Sequence, residues 1–210
     1  MTTDELISFC RLLDDDCRPP YLVSTERMGH FVREAEKEAA ERALYLKIDK
    51  EQWINVKADQ PSYELSPEII FIDRVKLQTG TQPIFKTTEC ELDFAQGNWE
   101  SKTGTPRHYI QDKNTIRLYP TPLVDDILML TGSRRPMFDM ETPEERHEDL
   151  AQWVLYRYFS VRDADTYNPV KAAEYLNEFS NLFGHKRDAF FERTWRDYAQ
   201  HPAFKVSPFN

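Results

Sequence analysis

Glycine is scarce in this chain: 6 of 210 residues, with no GxGxxG or GxxxxGK[ST] spacing anywhere. A loop that cradles phosphates with its backbone is therefore excluded. Cysteine is scarcer still. Cys10, Cys17 and Cys90 make an odd count without metal-ligand spacing, so neither a disulfide framework nor a zinc knuckle is expected, and the thiols read as reduced and structural or incidental. No apolar run approaches the ~20 residues needed to cross a bilayer. A basic cluster is missing too. The formal net charge is -9, and cutting the sequence after residues 50 and 135 gives 8 basic against 11 acidic, 10 against 12, and 9 against 13. The acidity is spread evenly, so the electrostatic footprint of a duplex-binding protein is absent. Polar and acidic residues follow Met1, so no secretory leader is expected and the chain is expected to be made and used in the cytoplasm.

What is present is a folding sequence. Hydrophobic residues make up 40% and aromatics 13%, enough for a real core in one large domain or two small ones. Charged residues make up 30%, and the mean hydropathy of -0.68 implies a polar exterior. Thr2 and Glu5 have capping-box spacing ahead of a short amphipathic helix carrying Leu6, Cys10 and Leu13. Arg18-Pro19-Pro20 ends that pattern. Ser24 is placed to cap a second helix, with Met28, Phe31, Val32, Ala35, Ala39, Ala43 and Leu46 on one face and Glu34, Lys37, Glu38 and Glu41 on the other.

From about residue 51 the period shortens. Trp53 to Val56 and Ser62 to Leu65 flank Gln60-Pro61 in a hairpin pattern, and Ile69 to Leu77 reads as a buried strand. Thr88 and Glu91 predict a short helix through Phe94. His108 to Ile110 and Thr115 to Tyr119 predict a hairpin across Gln111 to Asn114, and Ile127 to Thr131 a further strand. The result is a small antiparallel sheet of five or six strands.

Helical spacing returns at Thr142-Pro143-Glu144-Glu145, where the threonine is expected to cap and Glu145 to close the box. Leu150, Val154, Tyr158 and Val161 form the stripe, with Trp153 beside it. Asn168-Pro169 starts the last helix, carried by Ala172, Leu176, Phe179 and Phe183 and continued, with a bend near Gly184, by Phe190, Phe191, Trp195 and Tyr198. The fold class is α+β: an antiparallel helical bundle formed by both chain ends, with an inserted small antiparallel β-sheet domain. The expected divisions are 1–50 for the first helical pair, 51–138 for the β-rich insertion, 139–200 for the helices completing the bundle, and 201–210 for an extended tail.

His30, His108, His147, His185 and His201 are scattered, and none lies three or four residues from another, so they read as solvated surface groups. Asp14-Asp15-Asp16 lacks an EF-hand pattern and reads as a solvated run at a helix end. Cys90 lies between Glu89 and Glu91, a setting that disfavours a nucleophilic thiolate. Neither catalytic nor cofactor nor metal residues are assigned. Phe190, Phe191, Trp195 and Tyr198 extend past the length the other helices can cover, so they read either as core or as a partner surface, since an exposed aromatic row marks docking. Phe204, Val206 and Phe209 fall at near-alternate positions of a proline-broken tail, which reads as a frayed end or as an anchor that drops side chains into a neighbour.

The order of parts resembles the phage head-to-tail adaptor proteins. Three segments carry the resemblance: the opening helical pair DELISFCRLLDDD and STERMGHFVREAEKEAAERA, the GTPRHYI…IRLYPTP hairpin, and LAQWVLYRYFSVRDADTYNPVKAAEYLNEFSNLFG. The resemblance implies a structural virion protein in the neck between capsid and tail, assembled in the host cytoplasm. It implies a homo-oligomeric ring, twelvefold to follow the portal protein, that meets a tail or nozzle protein and lets DNA through its lumen without sequence-specific binding. It implies no enzyme, no cofactor and no membrane. A mildly acidic lumen would suit sliding DNA. The C-terminal segment is expected to reach onto the portal. Two other readings stay open: a small-molecule-binding or hydrolytic α+β protein, and another neck or tail-completion protein of the same particle.

Overall fold

Local capping chemistry sets most of the helix starts. The Thr2 hydroxyl accepts from the Glu5 amide at 3.2 Å while the Glu5 carboxylate accepts from the Thr2 amide at 2.8 Å, opening α1 (Thr3–Leu13). Ser24 opens α2 (Thr25–Ala43) by accepting from the Arg27 amide, and Thr88 and Glu91 form the reciprocal box of α3 (Glu89–Ala95). α4 (Ala151–Phe159) departs from this rule. Two 3-10 turns, Glu144–Arg146 and Glu148–Leu150, occupy the stretch expected to begin it, and Thr142 does not cap. Its hydroxyl and amide both donate to the carboxylate of Glu36, at 3.2 and 3.3 Å. Glu36 is 2% exposed, and a buried carboxylate without donors costs more than an open helix start that water can reach. Asn168 caps α5 (Pro169–Phe183) as expected, through the Lys171 amide.

The computed structural model describes residues 1–162 and 165–188, and the chain divides into two units. The first comprises Met1–Leu46 and Arg134–Arg187. Its core is shared by α1 (Leu6, Ile7, Cys10), α2 (Met28, Phe31, Val32, Ala35, Ala39), α4 (Val154, Leu155, Tyr158) and α5 (Ala172, Phe179, Phe183). Each large side chain among these contributes roughly 1.5–3 kcal/mol by leaving water.

The faces differ in part from the expected ones. Leu13 closes α1 and is exposed, and so is Ala43 at the end of α2, where Leu44 turns left-handed at φ 54°. Glu38, expected in solvent, is buried against Arg42, whose guanidinium also donates to the Ser180 hydroxyl and the Gly184 carbonyl. Asp16 is not solvated either. Its carboxylate lies 2.9 Å from Arg11 Nη1, with both side chains buried, and Arg11 Nη2 donates to the Val23 carbonyl at 2.9 Å. His147 is buried as well, with Nε2 donating to the Thr142 carbonyl at 2.6 Å. Helix α5 stops at Gly184, whose φ of +88° suits glycine, and residues 184–188 are not helical, so the expected helix does not run on through this point.

The second unit is built on Lys47–Ser133. Its strands are β1 (Ile54–Val56), β2 (Ser62–Glu64), β3 (Ile69–Leu77), β4 (Pro83–Lys86), β5 (His108–Gln111), β6 (Thr115–Tyr119) and β7 (Asp126–Arg134). They form one seven-stranded sheet in the order β1-β7-β3-β4-β5-β6-β2. The predicted β5–β6 hairpin is present, with Tyr109 opposite Leu118. The sheet is mixed rather than wholly antiparallel, because β4 and β5 run parallel. Together with the helices this makes a mixed α and β fold.

The predicted hairpin around Gln60-Pro61 does not form. β1 pairs with β7 and β2 with β6, at opposite edges of the sheet. The chain between them instead wraps the Tyr63 hydroxyl, which donates to the Gln60 carbonyl and accepts from the Lys57 amide. The six steps from Val56 to Ser62 reach at most ~22 Å, whereas the edges of a flat seven-stranded sheet lie ~29 Å apart. The sheet must therefore curl toward closure. Its inner face holds Val56, Tyr63, Val75, Ile84, Tyr109, Ile116, Leu118, Leu128 and Leu130.

Candidate docking surfaces

Among the described residues no three His, Cys, Asp or Glu side chains gather with metal-holding geometry. Burial pushes the Cys10 thiol up to about 12 and the Tyr45 hydroxyl up to about 12 as well, so both stay protonated at neutral pH. His30 lies at the surface against Arg33, while His147 is locked inside the helical unit.

Apolar side chains are held out to solvent at several places. In the helical unit, Leu12 is 64% exposed, and Leu13, Tyr21 and Leu22 join it on the segment that the buried Arg11–Asp16 pair folds back. The Leu22 amide donates to Asp16 Oδ1, and the Arg11 guanidinium lies 3.6 Å from the centre of the Tyr21 ring. The same unit presents Met137 and Phe138, the latter 67% exposed. Their backbone is fixed by Glu141, whose carboxylate accepts from both amides and pairs with Arg134 at 2.6 Å. Such displays mark contact surfaces when they are rigid, because little freedom is lost on binding.

This clamp makes a pH-dependent contribution. Burial alone would raise the Glu141 carboxyl, but the Phe138 amide, the Arg134 guanidinium and the Met137 amide outweigh it and hold the group below its ordinary 4.5. A depressed carboxyl stabilises the fold fully above its unfolded value, and that part is lost as pH falls through the folded value. Glu141→Gln is therefore expected to lower the thermal midpoint at neutral pH, with the gap to the wild type closing below about pH 4.5. Thermal unfolding across a pH series checks it; a gap that does not change with pH would discard the clamp.

In the β unit, α3 carries Leu92 inward, while Phe94, two positions on, points the other way and is 95% exposed. Beside Phe94 is a cleft of about 500 Å³, reaching Leu92, Ala95, Gln96, His108 and Tyr119. It adjoins a second cleft of about 460 Å³ lined by Lys102, Thr103, Thr105, Arg107 and the same Gln96, His108 and Tyr119. The wall of this second cleft is pinned by backbone bonds from Gly104 to the Thr121 carbonyl and from Thr121 to the Lys102 carbonyl. Leu123 and Val124, the latter 68% exposed, project from the β6–β7 connection.

The family model described as the SU10 adaptor protein matches residues 1–203. The chain belongs to that family. It is a phage head-to-tail adaptor family, so this adaptor is a structural component of a virion, and the resemblance read from the three segments holds at the level of the family. No curated protein matches the chain. No described helix of the adaptor is long and apolar enough to cross a membrane.

The docking residues read from sequence, Phe190, Phe191, Trp195, Tyr198, Phe204, Val206 and Phe209, lie outside the described residues. Sequence reading missed the displays that the adaptor shows before residue 188. Phe94 had a usable signal: Leu92 faces the core, and a residue two positions along a helix lies on the other side. Phe138 had none, because its rigidity comes from Glu141 and Arg134.

Proposed function

We propose that this chain is the head-to-tail adaptor ring of its virion. It docks on the portal protein in the neck, extends the DNA channel and gives the tail or nozzle protein its landing surface. The match to the adaptor family over residues 1–203 carries this reading. The displays around Leu12, Phe94, Val124 and Phe138 support it, because a ring needs separate heterologous contact patches rather than one pocket. A dodecamer follows the portal, and ring meets ring through many weak copies whose avidity replaces single-site affinity. The even negative charge suits a lumen through which DNA slides without sequence-specific contact.

In this reading both chain ends complete one helical bundle and residues 51–138 form the inserted β domain. Phe190, Phe191, Trp195 and Tyr198 make a subunit or partner contact, and the tail 201–210 anchors on the portal through Phe204, Val206 and Phe209. The test mixes the purified chain with the portal ring of its phage and measures mass by sedimentation. A gain of about a dozen 24.9 kDa subunits is expected, with a chain lacking residues 201–210 remaining folded but failing to add. No gain with the full chain would move the protein to another neck or tail-completion position.

A further inference from the structure

The cleft lined by Lys102, Thr103, Thr105 and Arg107 has a distinctive chemistry. Lys102, Arg107, Thr103, Thr105 and Gln96 all present donors to it, and no aspartate or glutamate lines it, in a chain with 36 acidic residues. The Arg107 side chain is exposed and makes no ion pair among the described residues. Gln96 Oε1 is already occupied by Lys102 Nζ at 2.8 Å and by the Tyr119 hydroxyl, which leaves the amide NH2 as its free hydrogen-bonding group. Burial and the neighbouring Arg107 hold the His108 ring below its usual 6.5, so it enters as a neutral group at pH 7. The cleft thus offers donors and two fixed positive charges to a ligand that can supply acceptors and negative charge.

A second property narrows the ligand. The donor cleft shares Gln96, His108 and Tyr119 with a largely apolar shelf that runs to Leu92, Ala95 and the exposed ring of Phe94; Lys86 and Glu91 also line this shelf, and the Glu91 carboxylate accepts from the Thr87 hydroxyl and the Thr88 amide. A ligand filling both places an anionic group and an apolar group side by side. A DNA backbone repeats charge along a track, which two cations on an acidic protein do not match. A protein segment with a carboxylate next to an aromatic or aliphatic side chain does match.

We propose that this composite cleft docks a partner-protein segment in which an Asp or Glu carboxylate is held by Arg107 and Lys102 while the adjacent apolar side chain packs on Phe94. The inference rests on the adaptor reading for having a protein neighbour, and it assigns the chemistry that the β unit recognises. The carboxylate meets Arg107 in a charge-assisted contact, and the Gln96 amide and the threonine hydroxyls take its remaining lone pairs. Phe94 supplies the contact area.

The test uses the full-length ¹⁵N-labelled chain and two capped tripeptides, acetyl-Glu-Phe-Glu-amide and its neutral counterpart acetyl-Gln-Phe-Gln-amide. The acidic peptide is expected to shift the amide signals of residues 102–108 and Tyr119 saturably, and to bind at least about fivefold tighter than the neutral one, with a loss on adding salt. Arg107→Gln is expected to cost a similar factor with its thermal midpoint unchanged, because the side chain is exposed, and Lys102→Gln serves as an independent second variant. Equal binding of the two peptides, no effect of either variant, or no saturable shift overturns the proposal. Tighter binding of inorganic phosphate or oligothymidylate than of the acidic peptide also overturns it, in favour of a phosphate site. Peptide binding without portal binding would remove the adaptor position and leave the cleft standing; the reverse result would do the opposite.

Discussion

Gly132→Ala is expected to unfold the β unit under conditions where the wild type is intact. Gly132 lies in β7, next to β3 in the sheet, and a methyl group there would sit 2.0 Å from the Phe71 carbonyl oxygen and 2.9 Å from its carbon. Both atoms are backbone, so no rotamer change relieves the clash, and the strands must part or shift. Overpacking a fitted core costs about 1–3 kcal/mol, and a backbone collision belongs at or beyond the top of that range. Urea unfolding followed by tryptophan fluorescence measures it, since Trp53 and Trp99 both lie in the β unit. Gly29→Ala is the control. Nothing lies within 4 Å of the added methyl group, and alanine is the better helix former by up to about 1 kcal/mol, so that variant should hold or gain stability. Equal midpoints for the Gly132 and Gly29 variants would mean that β7 does not approach Phe71 so closely.

Asp16→Ala should have the corresponding effect on the helical unit. Arg11 and Asp16 are 6% and 8% exposed, and removing the carboxylate leaves the guanidinium buried with the Val23 carbonyl and the Thr25 hydroxyl as its remaining hydrogen-bond acceptors. Breaking one side of a buried pair costs about 3–5 kcal/mol, whereas the exposed Arg157–Glu34 pair should contribute less than about 1 kcal/mol. The double replacement Arg11→Met with Asp16→Leu is expected to recover part of the loss, because the two apolar groups need no partners while the Leu22 amide and the Tyr158 hydroxyl lose the Asp16 carboxylate. A thermal-unfolding cycle over the single and double variants decides it. If Asp16→Ala costs no more than Glu34→Ala, the pair is not buried in solution.

What could be read from sequence divides along the same line as these two sites. Thr2, Ser24, Thr88 and Asn168 were legible because a cap and its amide are three residues apart, and the chain need not fold for them to meet. Thr142 followed the same rule on paper and was diverted by Glu36, which is 106 residues away in sequence. The Asp14 to Asp16 run looked solvated because nothing local shows that Arg11 folds back beneath it. Six of the seven strands were legible from their period, β4 (Pro83–Lys86) was not, and the partners of none but the β5–β6 pair were. Ile54 to Val56 and Ser62 to Glu64 look like a hairpin until Leu128 and Arg117 compete for them. The exposed apolar displays were the least legible. A lone exposed phenylalanine such as Phe94 has no periodicity, whereas aromatic rows draw attention wherever they fall.

The order in which the chain leaves the ribosome gives the split of each unit a further meaning. The core beneath α1 and α2 is closed by α4 and α5, which begin more than 100 residues after α2 starts. The first strand of the sheet must likewise wait for the last, since Ile54 pairs with Leu128. Contacts this distant form late in folding, and until they do the core around Phe31 and Val32 lacks the side chains of α4 and α5. A nascent chain cut short before α4 therefore has no finished helical unit. Incomplete products expose apolar surface to cellular quality control, so only whole chains present a finished helical unit.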